Sequence, residues 1–156
     1  MRDHNSHRTA IARKTLPRPT QWLLGKGFIT DHPMISILDF GCGKCESVNP
    51  KSWDNYDPHF KPQGIPGGKK YLRVVCNYVL CTLSRATRKK ILKEIQSHLT
   101  EFGEAYISVR NDKPKQGWGI SSRGTYQGRV QDLKLPLLHS NSQFRIYSLT
   151  KTTKLN

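Results

Sequence analysis

Apolar positions along the chain fall in short clusters, and two periods govern them. Ile35, Ile37, Leu38 and Phe40 form a β-branched and aromatic run that Gly41 and Gly43 interrupt, the pattern of a short buried strand entering a turn. Trp53 to Asp57 reads as a second short strand ended by Pro58, Tyr71 to Cys76 as a third with Asn77 and Tyr78 at its end, and Ala105 to Val109 as a fourth ending at Arg110. Between the last two, Ile91, Leu92, Ile95 and Leu99 recur at helical spacing behind Ser84, a good N-cap. Arg88, Lys89, Lys90 and Lys93 take the remaining positions as a solvated basic face, and Gly103 closes the helix. Strand, helix, strand in that order predicts parallel pairing through a crossover.

The flanking segments are shorter and more polar. A basic arm over residues 1–15, with Arg2, His4, His7, Arg8, Arg13 and Lys14, ends at Pro17 and Pro19. A short helix then runs from Thr20 to Gly25 or Gly27 and packs through Trp22, Leu23 and Phe28. Glu46 to Ser52 leaves room for about two helical turns, which Pro50 limits. Phe60 to Lys70 has loop composition, and no strand or helix fits there. Asn111 to Arg129 is a long Gly, Lys, Ser and Arg stretch around Trp118 and Tyr126, and Leu133 to Leu138 and Phe144 to Leu149 supply extended segments with an antiparallel edge. The expectation is one α/β domain over residues 1–156, its sheet mostly parallel with an antiparallel edge and helices on both faces.

Candidate chemistry begins at the glycine turn. A turn at the carboxyl end of the first strand of an open α/β sheet is where ligands bind, and glycine lets a ligand approach without a Cβ in the way. An ordinary tight turn would read the same. Asp57, at the end of the second strand, stands where a carboxylate accepts hydrogen bonds from ribose hydroxyls, sooner after the glycines than the usual spacing of about 20 residues. The alternative is a turn carboxylate capping the Pro58 turn. Basic residues interleaved with aromatics make residues 111–129 a substrate-gating or nucleic-acid-contacting loop.

Charge narrows the partner. Against 11 Asp and Glu stand 26 Lys and Arg, a formal +15 that favours polyanions, nucleic acid first, with a solubilising basic surface as the alternative. No apolar run approaches the ~20 residues of a membrane span, and the basic N-terminus lacks a signal-peptide core, so an intracellular, cytoplasmic protein without membrane contact is expected. Cys42 and Cys45 have the spacing of half a zinc site, but Cys76 and Cys81 do not complete it; buried free thiols and no metal are expected.

Leu38-Asp39-Phe40-Gly41-Cys42-Gly43 resembles the first motif of the class I S-adenosylmethionine-dependent methyltransferases, with Cys45 at the place of its third glycine. The likeness covers about Ile35 to Val109. More specifically the chain is similar to a bacterial and phage group, the DNA phosphorothioation-associated methyltransferases. The strings that carry this are His7 to Arg13, Tyr56-Asp57-Pro58-His59-Phe60, Cys76-Asn77-Tyr78-Val79-Leu80, Tyr106 to Arg110 and Gly124-Thr125-Tyr126-Gln127. The resemblance implies a Rossmann-like class I methyltransferase sheet, and because the family's usual third strand and helix do not fit between Phe60 and Tyr71 the sheet is expected to be abbreviated.

It also implies a reaction: methyl transfer from S-adenosylmethionine to an acceptor, with nucleic acid favoured. Asp39, Gly41, Cys42, Gly43, Asp57, Pro58 and Asn77 would hold the cofactor, Asp39 orienting the turn or the methionine amino group. Asn77 and Tyr78 sit at the family's fourth motif as catalytic candidates, without the prolines of amino-methylating DNA enzymes. Arg8, Arg13, Arg110, Trp118, Tyr126 and Gln127 are the substrate-binding candidates, and the loop from His59 to Lys70 or the arm would cover adenine. A catalytically silent nucleic-acid-binding protein and a small-molecule methyltransferase are the alternatives; a homodimer or a helper protein stays open.

Overall fold

The computed structural model describes residues 5–44, 48–112, 118–120, 122, 124–131 and 133–156, Trp118 by its backbone alone. Expectations about Arg2, His4, Cys45, Glu46 and the Trp118 side chain lie outside the described residues. Eight strands and two α-helices are present among them: α1 Arg18–Gly25, β1 Ile37–Phe40, β2 Asp54–Tyr56, β3 Tyr71–Asn77, α2 Arg85–Ser97, β4 Leu99–Arg110, β5 Trp118–Ile120, β6 Tyr126–Gly128, β7 Leu137–Ser140 and β8 Phe144–Thr150. The main sheet has the order β2-β1-β3-β4-β8-β7. β2, β1, β3 and β4 are parallel, and β8 and β7 add the antiparallel edge.

Period-2 alternation sorts the strands between two cores. Leu38, Phe40, Val74, Cys76, Ala105 and Ile107 face α2 through Leu92 and Ile95. Ile37, Val75, Tyr106 and Ile146 face α1 through Leu23, with Trp22 and Phe28 packed at the margin. Among the described residues each face therefore carries one α-helix. The face under α2 is completed by Val130, Leu133, Leu135 and Leu155 from non-helical chain. α1 starts at Arg18, earlier than Thr20, because Pro19 fits the first turn of a helix. α2 starts after Ser84, whose hydroxyl accepts from the Thr87 N–H at 3.3 Å.

Three expectations are corrected. Gly103 does not close α2: the helix stops at Ser97, and Leu99 already pairs with Tyr71 in β4. Leu99 remains in the core, but from a strand. Gly103 lies in the irregular part of β4, where a Cβ would sit 2.7 Å from the Tyr71 carbonyl oxygen. Arg88 is no part of the solvated face; it is buried, and its Nε donates to the Leu80 carbonyl at 2.9 Å. The stretch after β4 also holds regular structure, since β5 and β6 pair as an antiparallel ribbon.

Where the family's usual third strand would lie, the edge of β2 is covered by loop. Asp57 and Lys61 form an isolated bridge, and Gly64 is pressed so close to β2 that a Cβ would lie 1.7 Å from the Asn55 carbonyl oxygen. Asp54 of β2 receives Lys69 Nζ at 2.6 Å and the Tyr71 hydroxyl at 2.7 Å, pinning the far end of the loop. The covering protects an edge strand that would otherwise expose its ladder groups. Gly64→Ala should therefore lower the free energy of unfolding by about 1–3 kcal/mol, the range for overpacking. Gly67→Ala, with open space at its Cβ, should be neutral or slightly stabilising. Denaturant midpoints of the two variants check this, and equal midpoints would show that the loop does not press on β2.

Candidate functional site

The chain order reverses between β1 and β3, β2 lying to one side of β1 and β4 beyond β3. Ligands of open α/β sheets bind outside the carboxyl ends of the strands at such a point. A cavity of about 990 Å3 opens there, walled by Asp39 to Lys44 after β1, Tyr56 to His59 after β2, Asn77 to Val79 after β3, and Arg110 and Asp112 after β4. The 3-10 turn Ser6–Thr9 and Ala10, Ile11 and Arg13 line it from the arm.

The floor is a clasp between two turns. The N–H groups of Gly41 and Cys42 both donate to the Tyr56 carbonyl, at 2.7 and 3.0 Å, and the Gly43 N–H donates to Asp57 Oδ2 at 3.0 Å. Gly41 has φ +77°, and a Cβ there would lie 2.3 Å from Val79 Cγ2. Gly43 has φ +56°, and a Cβ would lie 3.1 Å from the Ala10 methyl. Both glycines thus serve the close fit of the turn against neighbouring segments as well as an open cavity wall. Asp57 Oδ1 also accepts from the His59 and Phe60 N–H groups, at 2.9 and 3.0 Å. The turn-capping role is realised, and the carboxylate still faces the cavity with one lone pair of Oδ2 to spare.

Asp39 is held behind the turn. It is 3% exposed and accepts from Asn49 Nδ2 at 2.7 Å; the same amide nitrogen donates to Asn55 Oδ1. Burial pushes its carboxyl up to about 6, with Asp57 adding to the rise while Asn49 and Arg13 oppose it. Asn77 is tied on both sides of its amide: Nδ2 donates to Thr20 Oγ1 of α1 at 2.8 Å, and Oδ1 accepts from Ser108 Oγ of β4 at 2.9 Å. Tyr78 is the one non-glycine residue with positive φ among the described residues, at 63°. Such a conformation in a bulky residue costs on the order of 1–3 kcal/mol and marks functional positions. Burial pushes its phenol up to about 12, so it remains protonated, and Arg13 lies 6.0 Å over its ring.

The substrate-side candidates divide. Arg110 forks onto Asp112, with Nε to Oδ1 at 2.9 Å, and donates Nη1 to Gln127 Oε1 at 2.9 Å; its pKa is raised chiefly by the Asp112 hydrogen bond. Arg13, Arg110 and Gln127 all line the cavity, Arg110 and Gln127 in direct contact. Arg8 is exposed on the outer side of the 3-10 turn and does not line the cavity, nor does Tyr126 on β6. Cys42 and Pro58 do line it. The burials of Cys76 and Cys81 raise both thiol pKa values, and the described residues contain no cluster that could hold a metal ion.

Several contributors were not legible locally. Asn49 reaches Asp39 across the β1–β2 connection, and Arg18 hydrogen-bonds Gln143 across the cavity mouth. His7 of the arm stacks on His59 with centroids 4.0 Å apart, joining the two segments expected to cover a ligand.

No protein-family model matches the chain, and no curated protein matches its sequence. Solved structures do. The DhpI–SAH complex matches with a TM-score of 0.51 over 83% of this chain and 83% of that chain, at 6% identity. The glycopeptide N-methyltransferase MtfA matches with 0.48 over 92% and 94% at 9% identity. Magnesium protoporphyrin IX methyltransferase (ChlM) from Synechocystis PCC 6803, with bound SAM, matches with 0.45 over 83% and 74% at 13% identity. The likeness to DhpI is one of fold, and the fold is the Rossmann-like methyltransferase sheet, mostly parallel with an antiparallel edge.

The buried carboxyl of Asp39 generates a pH signature. Its pKa is raised from the usual 3.8 in the native state, so the folded chain binds a proton more tightly than the unfolded one. This contribution favours folding below about pH 4, and it is lost as pH rises through about 6. Asp39→Asn should gain on wild type over that window by up to about 3 kcal/mol, since one pKa unit is about 1.4 kcal/mol. Urea unfolding of both proteins at pH 4, 5, 6 and 7 reads the difference; a constant difference would place the titration elsewhere.

Proposed function

We propose that the chain binds S-adenosylmethionine in the cavity at the β1–β3 switch point and transfers its methyl group to a nucleic-acid acceptor. The observation that carries the reading is the cavity itself, large enough for a cofactor and part of a second molecule. The residues fit the cofactor. Gly41 and Gly43 keep its floor free of side chains, and Asp39 and Asp57 set carboxylates beside the turn where a cation would lie. The fold shared with DhpI, solved with SAH, supports the same reading. The ordered strings from His7 to Gln127 support a place in the DNA phosphorothioation-associated group.

Bound there, the cofactor supplies an electrophilic methyl on a sulfonium sulfur. The chain's own part is to bind, align and exclude water. Asp57 would accept from a ribose hydroxyl through its remaining lone pair, and Asp39 keeps a negative charge near the turn above pH 6. Tyr78, protonated and fixed by its backbone, offers a ring face and an O–H donor and does not act as a base. Arg13, over the Tyr78 ring, and Arg110 with Gln127 line the cavity as donors for an anionic acceptor. Proximity and orientation supply most of the acceleration such a displacement needs.

One observation favours a second reading, a catalytically silent nucleic-acid-binding protein on this fold. Asn77, the family-like position for holding a target amine, spends its amide on Thr20 and Ser108. Calorimetry and labelled-methyl transfer separate the two readings. Heat on titration with S-adenosylmethionine is expected, weakened at least roughly tenfold in Asp57→Asn, which keeps an oxygen for the loop amides but sets an NH2 group where Oδ2 accepts from the Gly43 N–H and would accept from the ribose. Label should appear in DNA or RNA and fall in Arg13→Ala. No heat removes the cofactor reading, heat without transfer to DNA, RNA or small molecules leaves the binding protein, and transfer to small molecules alone removes the nucleic-acid acceptor.

A further inference from the structure

A second cavity, of about 600 Å3, lies on the other flank of α2. Leu92 of α2, Leu133 and Leu135 from the chain before β7, and Leu155 of the tail give it an apolar floor. Arg85 and Lys89, one helical turn apart, stand on one wall, and Lys134 and Lys154 on the other, all exposed. Arg88, buried beneath them, adds a further positive charge. Among the described residues no Asp or Glu side chain lines the cavity.

α2 itself joins this cavity to the cleft. At 100° per residue, Arg85 and Lys89 lie on the flank of the second cavity, and Ile91 and Glu94 on the flank that lines the first. Lys93 and Lys90 fall on the solvent arc between them, and both are exposed. A cationic track therefore runs from the second cavity over about 10–12 Å of helix and ends beside Glu94 at the first.

We infer that this track and cavity form a docking surface for single-stranded nucleic acid, whose strand crosses α2 on its way to the cleft. The inference rests on the nucleic-acid reading above and gives it a path. Cations spread over two walls and a ridge match the repeated charges of a phosphate backbone better than one compact anionic head. The apolar floor between them accepts an unpaired base, which a duplex keeps stacked inside. Among the described residues no aromatic lines the floor, so stacking contributes little and the attraction is mainly counterion release, steep in salt and tolerant of sequence.

The test compares two double variants of equal charge. Lys134→Gln/Lys154→Gln alters the second cavity; Lys26→Gln/Lys51→Gln removes two exposed cations that line neither cavity. Anisotropy titrations use a labelled oligothymidylate of about twelve nucleotides and a hairpin duplex with as many phosphates, over a series of salt concentrations. The wild type should prefer the single strand. The cavity double should bind it roughly tenfold more weakly, with a salt slope shallower by about 1.4, or about 0.7 for each phosphate left without its lysine. The control double should change much less, and melting curves should show all three proteins folded alike. Equal losses in both doubles, or hairpin binding as tight as strand binding, overturn the proposal. So does a cavity double that loses sedimentation with phosphatidylglycerol vesicles but keeps the oligonucleotide, which would make the surface a lipid site. Methyl transfer is not read in these titrations. A selective loss without transfer to nucleic acid leaves the docking surface standing and removes the acceptor reading; transfer with equal losses does the reverse.

Discussion

The cavity depends on the clasp between two turns. Three successive N–H groups, those of Gly41, Cys42 and Gly43, are all taken by the end of β2, two by the Tyr56 carbonyl and one by the Asp57 carboxylate. A strand of three residues at the edge of a sheet has little of its own to hold it. Here the partner strand's turn supplies hydrogen bonds beyond the end of the ladder, and a bond from N–H to a carboxylate is among the stronger kinds. The loop after Asp57 then locks the outer side, through Gly64 on the Asn55 carbonyl and through Asp54 with Lys69 and Tyr71. An abbreviated sheet can thus present a fixed cavity wall without a further strand.

The same clasp sets what the site residues are free to do. Asp57 holds three backbone N–H groups, so any ligand hydroxyl meets a carboxylate that is already oriented and partly neutralised by hydrogen bonding. Asn77 is spent on tying β3 to α1 and β4, and its neighbour Tyr78 takes the left-handed conformation that turns the chain out of the strand. The side chains at the end of β3 are therefore fixed by packing. A displacement at a sulfonium methyl asks mainly for alignment, and rigid placement is the property this end of the sheet has.

Much of the fold was legible because its signals are local. Apolar and aromatic runs located β1, β2, β3 and β8, with Gly or Pro marking the ends of β1 and β2, and the spacing of Leu92 and Ile95 behind Ser84 located α2. The glycine turn, Asp57, Asn77 and Arg13 all come to one cavity. What could not be read depends on contacts distant in sequence. Leu99 keeps helical spacing from Ile95, so only its pairing with Tyr71 and the tight seat of Gly103 show that the chain has already become a strand. Arg88 looks like its lysine neighbours until the Leu80 carbonyl claims it. Asn49, between a valine and a proline, carries no sign that it will stand under Asp39.

The roof of the cavity follows from the shortness of the sheet. With β2 as the edge, no further strand among the described residues rises over its carboxyl end, and the segments that do so include the arm, through Ala10 against Gly43, and the loop, through His59 against His7. His7, Ala10 and Arg13 bring the arm against three strand ends: the loop after β2, the glycine turn after β1, and Tyr78 after β3. The arm therefore touches the residues read as holding the cofactor, and through Arg13 it also supplies one read as meeting the acceptor.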